Sequence, residues 1–269
     1  MNRGAAVVAA ALALTLAGCG GPDARGAADG AGAAGWIALF DGRSLDGWIP
    51  KVVGHPPGED PDGLFSVRDG LLTVDYAGDF DGRFGHLFHE REWSHYRLRV
   101  EYRFTGEQAP GGPGWAWTNS GVMFHAQPPH SMRLDQDFPV SLELQFLGGA
   151  VGADAGARPT ANLCTPGTHV EMGGALHTQH CTNSFSPTFR GDAWVTVELE
   201  VRGGELIRHL VDGQEVLAYA RPILDDGDAD ARALLQAGRP AELTSGFLAL
   251  QAESHPVQFR RIELLPFDG

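Results

Sequence analysis

Glu143 and Gln145 stand out first. In Val140-Ser-Leu-Glu-Leu-Gln-Phe146, the apolar Leu142, Leu144 and Phe146 point one way and Ser141, Glu143 and Gln145 the other. Such a strand has one core face and one polar face. The polar face is either solvated or lines a cleft. A sugar cleft needs hydrogen-bonding side chains and aromatic platforms together, and Trp115, Trp117 and His125 are candidates to supply them.

The spacing argues against one familiar chemistry. Laminarinase-like sandwich enzymes carry Glu-x-Asp-x-x-Glu on one strand, with nucleophile and acid/base about 5 Å apart. The matching stretch here is Glu143-Leu-Gln145-Phe-Leu-Gly148. Gln replaces the Asp, and Gly148 cannot donate a proton. Ordinary double-displacement hydrolysis therefore lacks its acid/base.

These residues must be held by strands. Tyr96 to Phe104 alternates, with Tyr96, Leu98, Val100, Tyr102 and Phe104 on one face and charged residues on the other. Trp194 to Val201 does the same, and Leu206–Val211 followed by Asp212-Gly213 and Glu215–Tyr219 predicts a hairpin. Leu71–Tyr76, Ser120–His125, Gly246–Gln251 and Val257–Leu264 add strands, while only Asp230–Gln236 has a helical pattern. Gly 37 and Pro 17 in 269 residues fit a turn-rich β-sandwich of one domain. Asp225-Asp-Gly-Asp-Ala-Asp230 has the composition of a calcium loop but no twelfth-position Glu, and reads as a solvated acidic loop.

The net charge of −14 argues against nucleic acid as a partner. The N-terminus reads as an address. Arg3 precedes an apolar stretch from Ala5 to Ala17, and Leu16-Ala17-Gly18-Cys19 resembles a bacterial lipobox. The expectation is a signal peptide over residues 1–18 and a lipidated Cys19. A Gly/Ala/Asp-rich tether runs to residue 35, and one domain spans 36–267. The lipid would be the only membrane contact and would place the protein in the bacterial cell envelope, at the outer membrane or cell surface. Export then makes Cys164 and Cys181 a disulfide pair whose loop contributes about 3 kcal/mol. His169, His177 and His180 lie near enough in sequence to make a metal site the alternative.

Seven motifs in order resemble the 3-keto-disaccharide hydrolase domain family. They are Trp36-Ile-Ala-Leu-Phe-Asp-Gly-Arg-Ser-Leu-Asp-Gly-Trp48, Asn119-Ser-Gly-Val-Met-Phe124, Glu143-Leu-Gln145, Gly191-Asp-Ala-Trp194, Val211-Asp-Gly-Gln-Glu-Val216, Gly246-Phe-Leu-Ala-Leu-Gln251 and Val257-Gln-Phe-Arg-Arg-Ile262. The resemblance implies an all-β concanavalin A-like jelly roll of two antiparallel sheets. It also implies a substrate: a glycoside already oxidised at C3. A C3 ketone acidifies the C2 proton, so one base and one electrophilic stabiliser can drive elimination of the C1 substituent, followed by hydration. On this reading Glu143, His125 and Glu253 are the catalytic candidates. Asn119, Gln145, Arg260, Trp117 and Gln251 would bind the sugar, and a divalent cation is a possible cofactor. Members of the family carry Leu-Gln-x-His-Gly where this chain has Leu250-Gln-Ala-Glu-Ser254, so Glu253 stands at the His position and His255 follows. Either Glu253 takes over the role, His255 shifts in, or the activity is altered or lost. The rival functions are a carbohydrate-binding module using Trp115 and Trp117 as stacking platforms, and an envelope scaffold protein.

Overall fold

The computed structural model describes Met1 and residues 35–151 and 156–267. The expected signal segment, Cys19 and the tether up to residue 34 lie outside the described residues, Met1 aside. Seventeen strands follow in chain order: β1 Ile37–Ala38, β2 Trp48–Val52, β3 Phe65–Arg68, β4 Leu71–Val74, β5 Gly85–Trp93, β6 His95–Phe104, β7 Asn119–Ala126, β8 Leu142–Leu147, β9 Asn162–Cys164, β10 Thr168–Met172, β11 Ala175–His177, β12 Cys181–Thr182, β13 Val195–Arg202, β14 Leu206–Val211, β15 Gln214–Leu224, β16 Gly246–Ala252 and β17 Val257–Pro266. One helix, α1 Ala229–Gln236, is capped by the Asp228 carboxylate, which accepts from the amides of Asp230 and Ala231.

The strands form two antiparallel sheets, the jelly-roll sandwich expected. The ten-stranded sheet runs β11-β10-β15-β14-β13-β6-β17-β4-β3, with β1 on β17; the seven-stranded sheet runs β12-β9-β8-β7-β16-β5-β2. The alternation of β6 puts Leu98, Val100 and Tyr102 inward, where they meet Val122, Phe124, Leu142, Leu144, Phe146 and Leu250 of the other sheet. Tyr102 and Phe146 stack at 4.1 Å, their planes 6° apart. Fully buried His209 ties the layers through Ala161 O (3.0 Å) and the Tyr219 hydroxyl (2.7 Å).

The acidic loop before α1 is spent on local structure. Asp225 accepts from the Gly227 amide and faces His169, Asp228 caps the helix, and Asp230 pairs with Arg133. Cys164 and Cys181 form the disulfide, joining β9 to β12 with their Cα atoms 4.1 Å apart. His177 is occupied elsewhere, 2.7 Å from Thr182 Oγ1.

Candidate active site

Paired residues on antiparallel strands share a face. Cys164, Glu143, Met123, Ala249, Phe88 and Ile49 form one row across the outer face of the seven-stranded sheet. The next row holds Asn162, Gln145 and Gly121. Leu250 pairs with Val122, which sets Gln251 beside Gly121, and Gln251 pairs with His86 and His86 with Lys51. One half of this face is roofed. Met132 packs on Phe88, Met123 and Ala249, and the buried Lys51 ammonium donates to the carbonyls of Val52 and Leu134 at 3.1 Å each. The Gln127 amide oxygen accepts from Val140 N and Gln136 Nε2, holding the roof in one shape.

The other half opens as a cleft of about 690 Å³. Its floor carries Asn119, Glu143, Gln145 and Glu253; its walls include Trp115, Trp117, Phe138, Leu147, Arg158, Pro166 and the disulfide. Trp115 is 56% exposed and stacks on Phe84, rings 5.9 Å apart. Two strained residues flank the floor: Thr118 (φ 41°) precedes Asn119, and Ser254 (φ 78°) follows Glu253.

Glu143 and Glu253 are the chemical centre. Glu143 sits in β8, Glu253 directly follows β16, and β7 runs between them. Both are almost fully buried, and Glu143 Oε1 and Glu253 Oε2 have no hydrogen-bond partner. Burial pushes the Glu143 carboxyl up to about 8. Burial also drives Glu253 well above the ordinary carboxylate range, with the Glu143 charge adding to the rise and Arg158 opposing it. Both carboxyls are thus held toward the protonated form, and charge on one resists ionisation of the other.

Arg158 is the cation of this cleft, and sequence reading missed it. It follows a Gly/Ala/Asp-rich stretch of sequence with no periodic pattern around it. Its guanidinium donates to Gly148 O (2.6 Å), Thr118 O (3.3 Å) and Thr118 Oγ1 and lies 5.3 Å from the centre of the Trp117 ring. Burial lowers its pKa. Asn119 Oδ1 and both amide atoms of Gln251 are buried without partners, while Gln145 Oε1 accepts from Asn162 at 3.1 Å, which leaves its NH₂ end for a ligand.

Two expected residues lie elsewhere. His125 would share the Met123 face by simple alternation, but its φ of 48° breaks the alternation. Its Nε2 donates to the Gly203 carbonyl at 3.0 Å, and burial drops its pKa to about 4, so it is a structural tie outside the cleft. Arg260 is in β17 of the other sheet, where the register shifts between Phe259 and Arg261. It pairs with Glu101 and lies 4.5 Å from the centre of the Trp194 ring, so it does not meet a ligand on the seven-stranded sheet. Glu253, not His255, lines the cleft. His255 packs edge-on to Trp117 and Phe104, with burial and the nearby Arg158 charge lowering its pKa to about 4.

Among the described residues no group of three or more His, Cys, Asp or Glu residues could hold a metal ion. The oxygen donors on the cleft floor are the carboxyls of Glu143 and Glu253 and the amides of Asn119 and Gln145. The positive charge facing Glu253 is the Arg158 guanidinium.

Fold and cleft together define a jelly-roll sandwich domain with a buried carboxyl pair on the floor of its cleft. Residues 35–265 match the 3-keto-alpha-glucoside-1,2-lyase-like domain family, and the chain belongs to that family. A provisionally named glycosyl hydrolase from Parabacteroides distasonis is similar at 18% identity and a TM-score of 0.51, over 87% of this chain and 94% of its own. A Bacillus subtilis protein with a galectin-like fold is 12% identical with a TM-score of 0.49, over 86% and 94%. The Bacillus licheniformis β-glucanase is 9% identical with a TM-score of 0.47, over 86% and 97%. No curated protein matches the chain.

Proposed function

We propose that this domain cleaves glycosides whose sugar already carries a ketone at C3. The observation that carries the proposal is the buried Glu143/Glu253 pair, which lines one cleft together with Arg158. Ionised Glu143 takes the C2 proton, and the C2–H electrons move into the C3 carbonyl to give an enolate. Arg158 and the amides of Asn119 and Gln145 are the groups available to hold enolate and hydroxyl oxygens. The enolate re-forms the ketone as a C1=C2 double bond forms and the C1–O bond breaks, and protonated Glu253 gives its proton to the departing oxygen. Water then adds its hydroxyl at C1, Glu143, its proton exchanged with solvent, gives a proton to C2, and Glu253 takes the proton left by water. Both carboxyls end as they began. No step is routed through a metal ion.

This also accounts for Glu253 at the position where other members of the family carry His. A buried Glu that keeps its proton near neutrality can do the acid work of a His.

The exposed Trp115 platform supports a second reading, a carbohydrate-binding module without turnover. The two separate in one comparison. The catalytic reading expects 3-keto-glucoside turnover that Glu143→Gln abolishes while ligand binding survives. Saturable binding with no product from the unaltered domain would leave only the module. We further propose lipidation at Cys19 and residence in the cell envelope, from the lipobox-like Leu16-Ala17-Gly18-Cys19.

A further inference from the structure

Gly121 lies within β7, the strand between β8 and β16, and pairs with Gln145 of β8. Glycine is a poor choice there, since an interior strand glycine weakens the strand relative to Ala. Its backbone does not demand it, because Gly121 is not among the residues with positive φ. The demand is for space. A Cβ on Gly121 would lie 2.6 Å from Glu143 Oε1, 3.0 Å from Glu143 Cγ and 3.0 Å from the Leu144 carbonyl oxygen. The Glu143 side chain therefore lies across Gly121, toward the β16 side. There the row continues to Gln251, whose buried amide lacks a partner at both polar atoms. Glu253 follows two residues later.

We propose that Gly121 is a positioning residue: its missing side chain is the notch that seats the Glu143 carboxyl and lets carboxyls from β8 and the end of β16, on either side of β7, share one floor. Any side chain at 121 would turn Glu143 out of the notch. The two carboxyls would separate while the sheet, whose backbone pairing needs nothing from that position, persists.

The proposal rests on Glu143 being the base, so its test includes a readout independent of turnover. Glu143 and Glu253 would be titrated by carbon-13 NMR in the unaltered domain and in Gly121→Ala. With Glu143 displaced into solvent, its carboxyl should titrate at lower pH. Glu253 should follow, because the neighbouring charge that raises it has moved. On a 3-keto-glucoside, kcat should fall roughly 100-fold, as for a misplaced catalytic group, with KM changed only a few-fold. Unchanged titration of both carboxyls in a folded Gly121→Ala domain would overturn the proposal. If Gly121→Ala melts lower, adding Glu143→Ala should relieve most of that deficit, since the closest conflict is gone and only the approach to the Leu144 carbonyl remains. A deficit left undiminished puts the conflict elsewhere and overturns it too. A titration shift in a domain that never turns over would support the positioning and refute the base reading instead.

Discussion

Glu143 and Glu253 come from strands that are not neighbours, yet charge on Glu143 is felt at Glu253, and both carboxyls are buried in the floor of one cleft. A carboxylate pair of this kind is absent from β8 itself, since Gly148, directly after the strand, stands at the second position. The sheet restores the pair by bringing in the end of β16.

That pairing sets a pH dependence of stability. In the folded chain Glu143 titrates near 8 and in the unfolded chain near 4.5, so the folded state binds more protons between those values. Its stabilisation is present below about 4.5 and is lost as pH rises through 8. Glu143→Gln should therefore flatten the alkaline fall and raise Tm at pH 9, by roughly 2–4 °C for each kcal/mol recovered. The histidines act with the opposite sign. Buried His86 is held down to about 3, and His125 and His209 to about 4, against 6.5 unfolded. Stability should also fall as pH drops from 6.5 toward 4. Calorimetric melting across pH 4 to 9 checks both limbs; a Glu143→Gln melt that tracks the unaltered domain at pH 9 would contradict the first.

Arg158 opposes the rise in the Glu253 pKa. Arg158→Met should push Glu253 higher still and move the alkaline limb of the kcat/KM profile to higher pH. It should also lower kcat/KM by roughly 10²–10³, as for removal of an oxyanion donor. Arg158→Lys, a point charge in place of a fork, should recover part of the loss. A pH–rate profile measures both effects, and an unmoved alkaline limb would separate Arg158 from Glu253.

How the sequence and the structure relate is visible in these residues. Period-2 alternation placed β6, β7, β8, β13, β16 and β17 and put Glu143 and Gln145 on the polar face of β8, because alternation reports which side of a strand is apolar. It does not report which sheet a strand joins. Arg260 therefore looked equivalent to Gln251 and lies in the other sheet. Nor does it register a left-handed residue inside a strand, which removed His125 from the cleft. Arg158 sits in irregular chain, where no period exists to read. Gly121 was in plain view within Asn119-Ser-Gly-Val-Met-Phe124, but the reason for it is a tertiary approach. The short strands from β9 to β12 carry too few residues for a pattern, although the two cysteines flagged their pairing.

Glu143 is paired in register with Cys164, so the disulfide supports the wall beside the proposed base. Cys164→Ser with Cys181→Ser should cost about 3 kcal/mol by loop entropy. It should also raise KM, since Cys181 lines the cleft. Thermal melts and Michaelis kinetics with and without reductant test this; an unchanged KM in the reduced domain would show the wall to be self-supporting.

Cys19→Ser in the full chain should move the protein from the membrane fraction to the soluble exported fraction, because the lipid is expected to be its only anchor. Equal membrane association of both forms by fractionation would rule out lipidation at Cys19 as the anchor.

The most direct test of the central claim is product analysis in deuterated water. A 3-keto-glucoside and its unoxidised parent would be incubated separately with the domain, with and without a chelator, and followed by NMR and mass spectrometry. The predicted result is cleavage of the keto sugar alone, unaffected by the chelator, with deuterium at C2 of the released sugar. Cleavage of the parent at a comparable rate, or release of a keto sugar with no deuterium at C2, would contradict abstraction of the C2 proton by Glu143.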